Sequence, residues 1–192
     1  MRPRRRWLAL PLVCVLCAGA AASTSAKAPA DKSARQPRPA RTPDIHFTPT
    51  RHNIADAMLQ LAGVGPDDVV YDLGSGDGRI PIIAAQKYGA RGVGIELDPN
   101  LVELSWRIAN EAEVANRVSF IVGDLFTADL SKATVITTYL SQSMMKLLEP
   151  TLRALAPGTR IVAHHFPMVG WPPDRRIKVD EAELMLWIVP PR

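Results

Sequence analysis

From residue 42 onward, short apolar runs alternate with stretches whose apolar positions recur every three to four residues. The runs at 69–73, 91–96, 117–122, 133–139, 159–165 and 183–189 have the length and β-branched content of buried strands. Residues 53–61, 79–88, 100–113 and 142–155 carry the helical period instead. This alternation predicts an α/β domain: a doubly wound, mostly parallel sheet with helices on both faces, joined by right-handed crossovers. Residues 42–192 suffice for one domain with its own core, and no internal repeat interrupts them. A ligand of such a sheet lies beyond the carboxyl ends of the strands, which directs attention to Asp72, Glu96, Asp124 and Tyr139.

The first run passes Asp72 and enters a turn containing Gly74, Ser75, Gly76 and Gly78. Glycine admits left-handed dihedrals and lets a backbone approach a ligand closely. The helix expected from Arg79 points its free N–H groups at the same turn. A nucleotide-type cofactor site and a plain tight turn are both compatible with this. The dinucleotide fingerprint is not, because it needs a small residue where Arg79 stands. Glu96 closes the second run twenty positions after Gly76, where a doubly wound fold grips a ribose through its two hydroxyls. Asp98-Pro99 supplies the cap and first residue of the next helix, leaving Glu96 for the ribose. Gly123-Asp124-Leu125-Phe126 reads either as an acidic contact to the amine of a bound base or as a Gly-Asp turn. Thr48-Pro49-Thr50 either crosses the crevice or serves, through Thr50 or Asn53, as the cap of the first helix.

Charge and apolar content divide the chain differently. Four arginines precede an apolar stretch of sixteen residues, Trp7 to Ala22, which has the polarity and length of an export signal, with cleavage expected after Ala22 or Ala26. Retained, residues 1–26 would act as an N-terminal membrane anchor, although a full span needs roughly twenty apolar residues. Arg4-Arg5-Arg6-Trp7-Leu8 partly matches a twin-arginine signal. Both cysteines, Cys14 and Cys17, lie inside this stretch, so neither a disulfide nor a cysteine metal site is expected in the mature protein. Residues 27–41, basic and rich in Pro and Ala, read as a flexible tether. The formal charge of +4 belongs to these two segments, because residues 42–192 hold 14 basic and 18 acidic side chains, a net of −4. Nucleic acid is therefore discounted as a partner, while the tether allows a weak contact with anionic lipid. Export would place the protein in the periplasm or cell envelope. Adjacent residues on a strand face opposite ways, so His164 and His165 should not share a metal, and His46 and His52 show no ligand spacing.

The turn D-x-G-x-G-x-G resembles motif I of the class I, seven-strand S-adenosylmethionine-dependent methyltransferases, which have a Rossmann-like fold. The likeness extends over residues 47–189. His46-Phe47-Thr48-Pro49-Thr50, Met58-Leu59, DLGSGDGRI, GIELDPNLVELS, Met144-Met145, Leu147-Leu148-Glu149, His165-Phe166-Pro167 and Trp171 are similar to the ATP synthase c-subunit lysine methyltransferases and their bacterial relatives. The resemblance implies S-adenosylmethionine as cofactor and N-methylation of a protein lysine. It implies that Asp72 and the turn Gly74, Ser75, Gly76 and Gly78 hold the methionine part, with Thr48 covering it. Glu96 would take the ribose, and Asp124 with Leu125 the adenine. Tyr139, with Thr138 beside it, would line the substrate pocket, unless Tyr139 merely packs at the strand end. Residues 138–143, TYLSQS, depart from the more apolar segment expected of eukaryotic members. Six apolar runs against seven family strands imply a sheet shortened at its C-terminal end. The competing reading is an exported, non-catalytic module that binds an adenosine-containing metabolite.

Overall fold

The computed structural model describes residues 47–191; the expected leader and tether, and His46, lie outside them. Five apolar runs become β1 (Val69–Leu73), β2 (Arg91–Glu96), β3 (Val118–Val122), β4 (Val135–Thr138) and β5 (Arg160–His164). The helical stretches become α1 (His52–Ala62), α2 (Arg79–Tyr88), α3 (Pro99–Glu111) and α4 (Gln142–Arg153). Every bound falls within two residues of its expectation. An unanticipated strand, β6 (Arg175–Val179), precedes the last one, β7 (Ala182–Ile188).

The strands form one sheet in the order β3-β2-β1-β4-β5-β7-β6. All pairings from β3 across to β5 are parallel, and β7 runs antiparallel between β5 and β6. The expectation of a shortened sheet was wrong: the closing hairpin is present. Its outer strand, RRIKV, escaped notice because it borders a single neighbour and exposes Arg175, Arg176 and Lys178. Charge of this kind is how an edge strand avoids further pairing.

Alternation along the strands sorts the core into two faces. Val70, Val135, Val162, Leu184 and Leu186 meet α1 and α2. Tyr71, Ile136, Ile161, Met185 and Trp187 meet α4. Val118 lies in register with Gly92 and through it with Val70, so the α3 contacts to Val118 and Phe120 fall on the α1–α2 face. Three helices thus cover one face and a single helix the other. The remainder of the α4 face is filled by the non-helical crossover from β3 to β4, which contributes Leu125, Leu130 and Ala133. Gly92 permits the close seat of α2, since a Cβ there would lie 2.6 Å from the Pro81 carbonyl oxygen.

At the amino edge of the sheet, Asp68 fastens three strands. It accepts from Gly65 N at 2.8 Å and Thr134 Oγ1 at 2.7 Å, and pairs with Arg160, whose Nη1 donates to the Ala62 carbonyl at 2.9 Å. Burial alone would raise the Asp68 carboxyl, but these donors and the guanidinium outweigh it and hold the group below its ordinary value. The chain order reverses between β1 and β4, so the carboxyl ends of β1, β2 and β4 border the crevice where ligands of such sheets bind.

Candidate active site

The turn after β1 is bonded to the end of β2. Gly74 N and Ser75 N both donate to the Ile95 carbonyl, at 2.9 and 3.1 Å, and Gly76 N donates to Glu96 Oε2 at 2.9 Å. Gly74, Gly76 and Gly78 all take positive φ, 76°, 55° and 75°. Their roles nevertheless differ. Gly74 and Ser75 line a cleft of about 570 Å³, whereas Gly76 and Gly78 do not. A Cβ at Gly78 would sit 2.4 Å from the Phe120 ring, so that glycine serves the packing of α2 on β3. A Cβ at Gly76 would sit 2.2 Å from the ring of Phe47, which lies over the turn.

Glu96 is held by three backbone donors: Gly76 N on Oε2, and Leu97 N and Asp98 N on Oε1 at 2.7 and 3.0 Å. Its carboxylate is therefore fixed in place before any ligand arrives, with Oε2 carrying one donor and Oε1 two. Asp98 caps α3 by accepting from Asn100 N at 2.8 Å, with Pro99 in the first turn, the cap that the sequence assigned to it. Asp124 accepts from Phe126 N at 3.0 Å, so its side chain takes part in the turn as well as lining the cleft. Asp72 is 4% exposed and accepts from Thr137 Oγ1 at 2.7 Å. Burial pushes its carboxyl up to about 7 against the pull of the Thr137 bond, with Glu96 and Asp77 adding to the rise.

Residues 47–50 form a strap along the cleft. The Thr50 carbonyl accepts from Arg79 Nη1 at 2.7 Å, and Phe47, Thr48, Pro49 and Thr50 all line the cleft. Neither Thr50 nor Asn53 caps α1: its N-cap is Arg51, without a side-chain bond, and Asn53 Nδ2 donates to Asp180 at 2.8 Å. Thr50 is drawn to the turn by Arg79 instead.

Tyr139 and Phe166 bring aromatic rings to the lining of the cleft. The Tyr139 ring stacks on His164 at 4.0 Å between centroids, and His164 stacks on His165 at 4.5 Å. The two histidines were expected on opposite faces. They stack because His165 follows the strand with φ of 66°, where strand alternation no longer applies. Burial, helped by the neighbouring His165, pushes His164 down to about 4, so the buried ring is neutral near pH 7. Among the described residues no cluster of three or more His, Cys, Asp or Glu is placed to hold a metal.

The structure thus brings Thr48, Asp72, Gly74, Ser75, Glu96, Asp124, Leu125 and Tyr139 to one cleft. Thr138 is left out: alternation along β4 turns it to the face that carries Ile136, and it is fully buried there. Phe47, Asp77 and Arg79 line the cleft but were not singled out as site residues. In the sequence Arg79 serves only to exclude a dinucleotide, and the structure pairs it with Asp77, two residues earlier across Gly78.

The model of the ANTKMT methyltransferase domain family matches residues 72–175. A protein-lysine N-methyltransferase of Saccharolobus islandicus (strain REY15A) is 38% identical over 144 residues, 74% of this chain and 89% of that protein. The chain belongs to the ANTKMT methyltransferase domain family. As a member it is an S-adenosylmethionine-dependent methyltransferase, and the non-catalytic reading is not favoured. This methyltransferase is also 50% identical to a crystal structure described as an RNA methyltransferase from Salinibacter ruber in complex with S-adenosyl-L-homocysteine. That likeness has a TM-score of 0.74 and covers 76% of this chain and 95% of the other. The adenine nucleotide translocase lysine N-methyltransferase of Mus musculus is 39% identical over 118 residues, 60% of this chain and 51% of that protein. The methyltransferase thus spans about half the length of the mouse relative and nearly all of the Saccharolobus one.

The residues present fit the cofactor. The cleft is of the size that encloses small ligands, Glu96 is pre-set by backbone donors, and the buried Ser75 Oγ, in a residue lining the cleft, has no partner among the described residues.

Proposed function

We propose that this methyltransferase acts on the side-chain amine of a protein lysine. The observation that carries the reading is the uncharged part of the lining, Tyr139, Leu140, Met144 and Phe166, with a neutral imidazole stacked on the Tyr139 ring. A lysine must shed a proton from an ordinary pKa of about 10.4 before it becomes a nucleophile. An apolar surround disfavours its charged form. The protein-lysine activity named for the Saccharolobus islandicus relative supports the same acceptor.

S-adenosylmethionine supplies an activated methyl group, so the chain mainly has to hold, orient and exclude water. Glu96 would grip the ribose through its less occupied Oε2, Asp124 and Leu125 would border the adenine, and Asp72 with the turn and Thr48 would border the amino-acid tail. The Tyr139 hydroxyl would accept from the incoming amine and align it.

A second reading, methylation of RNA, is favoured by the description of the Salinibacter ruber neighbour. The net charge of −4 on residues 42–192 opposes a phosphate backbone. Transfer of tritiated methyl to cell protein and to cell RNA decides between them. Label in protease-sensitive material, lost in Glu96→Ala and reduced at least about tenfold in Tyr139→Phe, is the expected result. Label that survives protease and is released by ribonuclease would overturn the lysine assignment. We also propose that residues 1–26 direct the enzyme to the cell envelope, a reading tested by the native N-terminus and its cell fraction.

A further inference from the structure

Five carboxylates, Asp72, Asp77, Glu96, Asp98 and Asp124, line the cleft, and Arg79 is the single Lys or Arg among the lining residues. This balance suits a sulfonium and an ammonium. It does not suit the carboxylate that the amino-acid tail of the cofactor also carries. We infer that Arg79 is the receptor for the α-carboxylate of the cofactor, and that the same guanidinium ties this contact to the strap through the Thr50 carbonyl.

The geometry supports it in three ways. Arg79 opens α2 directly after the glycine turn and lines the same cleft as Asp72, Gly74 and Ser75. Its guanidinium is held in a fixed plane: Nε donates to Asp77 Oδ1 at 2.9 Å, Nη2 pairs with Asp77 Oδ2, and Nη1 donates to the Thr50 carbonyl at 2.7 Å. A guanidinium has five N–H groups, so these three bonds leave two for a ligand. The side chain is 19% exposed, so it is anchored by its neighbours while its remaining surface meets the cleft. A planar fork of this kind recognises a carboxylate with geometric specificity that a mobile lysine lacks.

The inference rests on the cofactor assignment, and calorimetry on the full chain separates the two. Three probes are titrated: S-adenosylmethionine, 5′-methylthioadenosine, which has no amino-acid tail, and decarboxylated S-adenosylmethionine, which keeps the sulfonium and the amine but lacks the carboxylate. Wild type should prefer S-adenosylmethionine to the decarboxylated compound, which differs from it only in the carboxylate, by about tenfold to a hundredfold. Arg79→Gln should erase that preference while weakening methylthioadenosine binding far less, and the binding that remains also shows that the variant is folded. Arg79→Lys should recover part of the preference. Equal weakening of all three probes in Arg79→Gln would assign the residue to the scaffold and overturn the inference. So would wild-type protein that binds methylthioadenosine but shows no preference for the carboxylate. If wild type bound none of the probes, the cofactor assignment itself would fall, and this inference with it.

Discussion

Two aspartates stand four residues apart at opposite ends of β1, and their surroundings pull them in opposite directions. Asp68, at the amino edge, is surrounded by donors and by Arg160, and its carboxyl is held below the ordinary range. Asp72, at the carboxyl edge, is buried with Thr137 as its hydrogen-bonding partner and is pushed up to about 7. One edge satisfies its polar groups within the protein, and the other leaves them partly unsatisfied. The buried side-chain atoms without a partner among the described residues, Ser75 Oγ, Thr138 Oγ1 and His164 Nδ1, belong to the ends of β1, β4 and β5 at that second edge. Unmet polar demand gathers at the carboxyl edge, where Ser75 lines the cleft and Thr138 and His164 lie behind it, and the opposite edge carries stability.

The largest test of this contrast is Asp72→Asn. Folded protein keeps the Asp72 proton up to about pH 7, whereas the unfolded chain releases it near 3.8, so ionisation opposes folding increasingly as pH rises between those values. The asparagine variant should remove that slope and gain up to about 4 kcal/mol at pH 8, read by urea unfolding without ligand. It should lose affinity for S-adenosylhomocysteine at the same time. Unchanged stability at pH 8 would break the contrast. Asp68→Ala should do the reverse, costing about 3 kcal/mol at pH 7 by stranding Arg160, with cofactor affinity retained in the folded fraction. The Asp68 contribution is present above pH 3.8 and is lost as pH falls through its lowered pKa. The smallest effect is expected at the third unmatched atom: His164→Phe keeps the stack on Tyr139 and removes Nδ1, for a gain of about 1 kcal/mol at pH 7. The variant should also be less sensitive to acid between pH 6.5 and 4, where wild type must protonate a buried ring on unfolding.

Strands and helices with a regular apolar period were legible in the sequence almost to the residue, because burial on both faces of a parallel sheet leaves a continuous apolar run. β6 was not, because a solvent-facing edge strand has no such run. The acidic strand ends were legible for a related reason: Asp72, Glu96 and Asp124 are polar interruptions at the close of apolar segments. The strap was only partly so. Its crossing of the crevice was one of two readings, and the Arg79 bond that settles the place of Thr50 joins positions 29 residues apart. The histidine stack depends on one left-handed residue, His165, and a strict strand period argued against it.

The strap also changes where this domain begins. The first helix starts at His52, and a boundary drawn there by secondary structure would look clean. It would remove Phe47, Thr48, Pro49 and Thr50, which together form one wall of the cleft. The family match, 72–175, starts later still and omits α1 as well. A truncated protein built on either boundary could retain the glycine turn and most of the sheet, and yet hold its ligand in an unroofed trough.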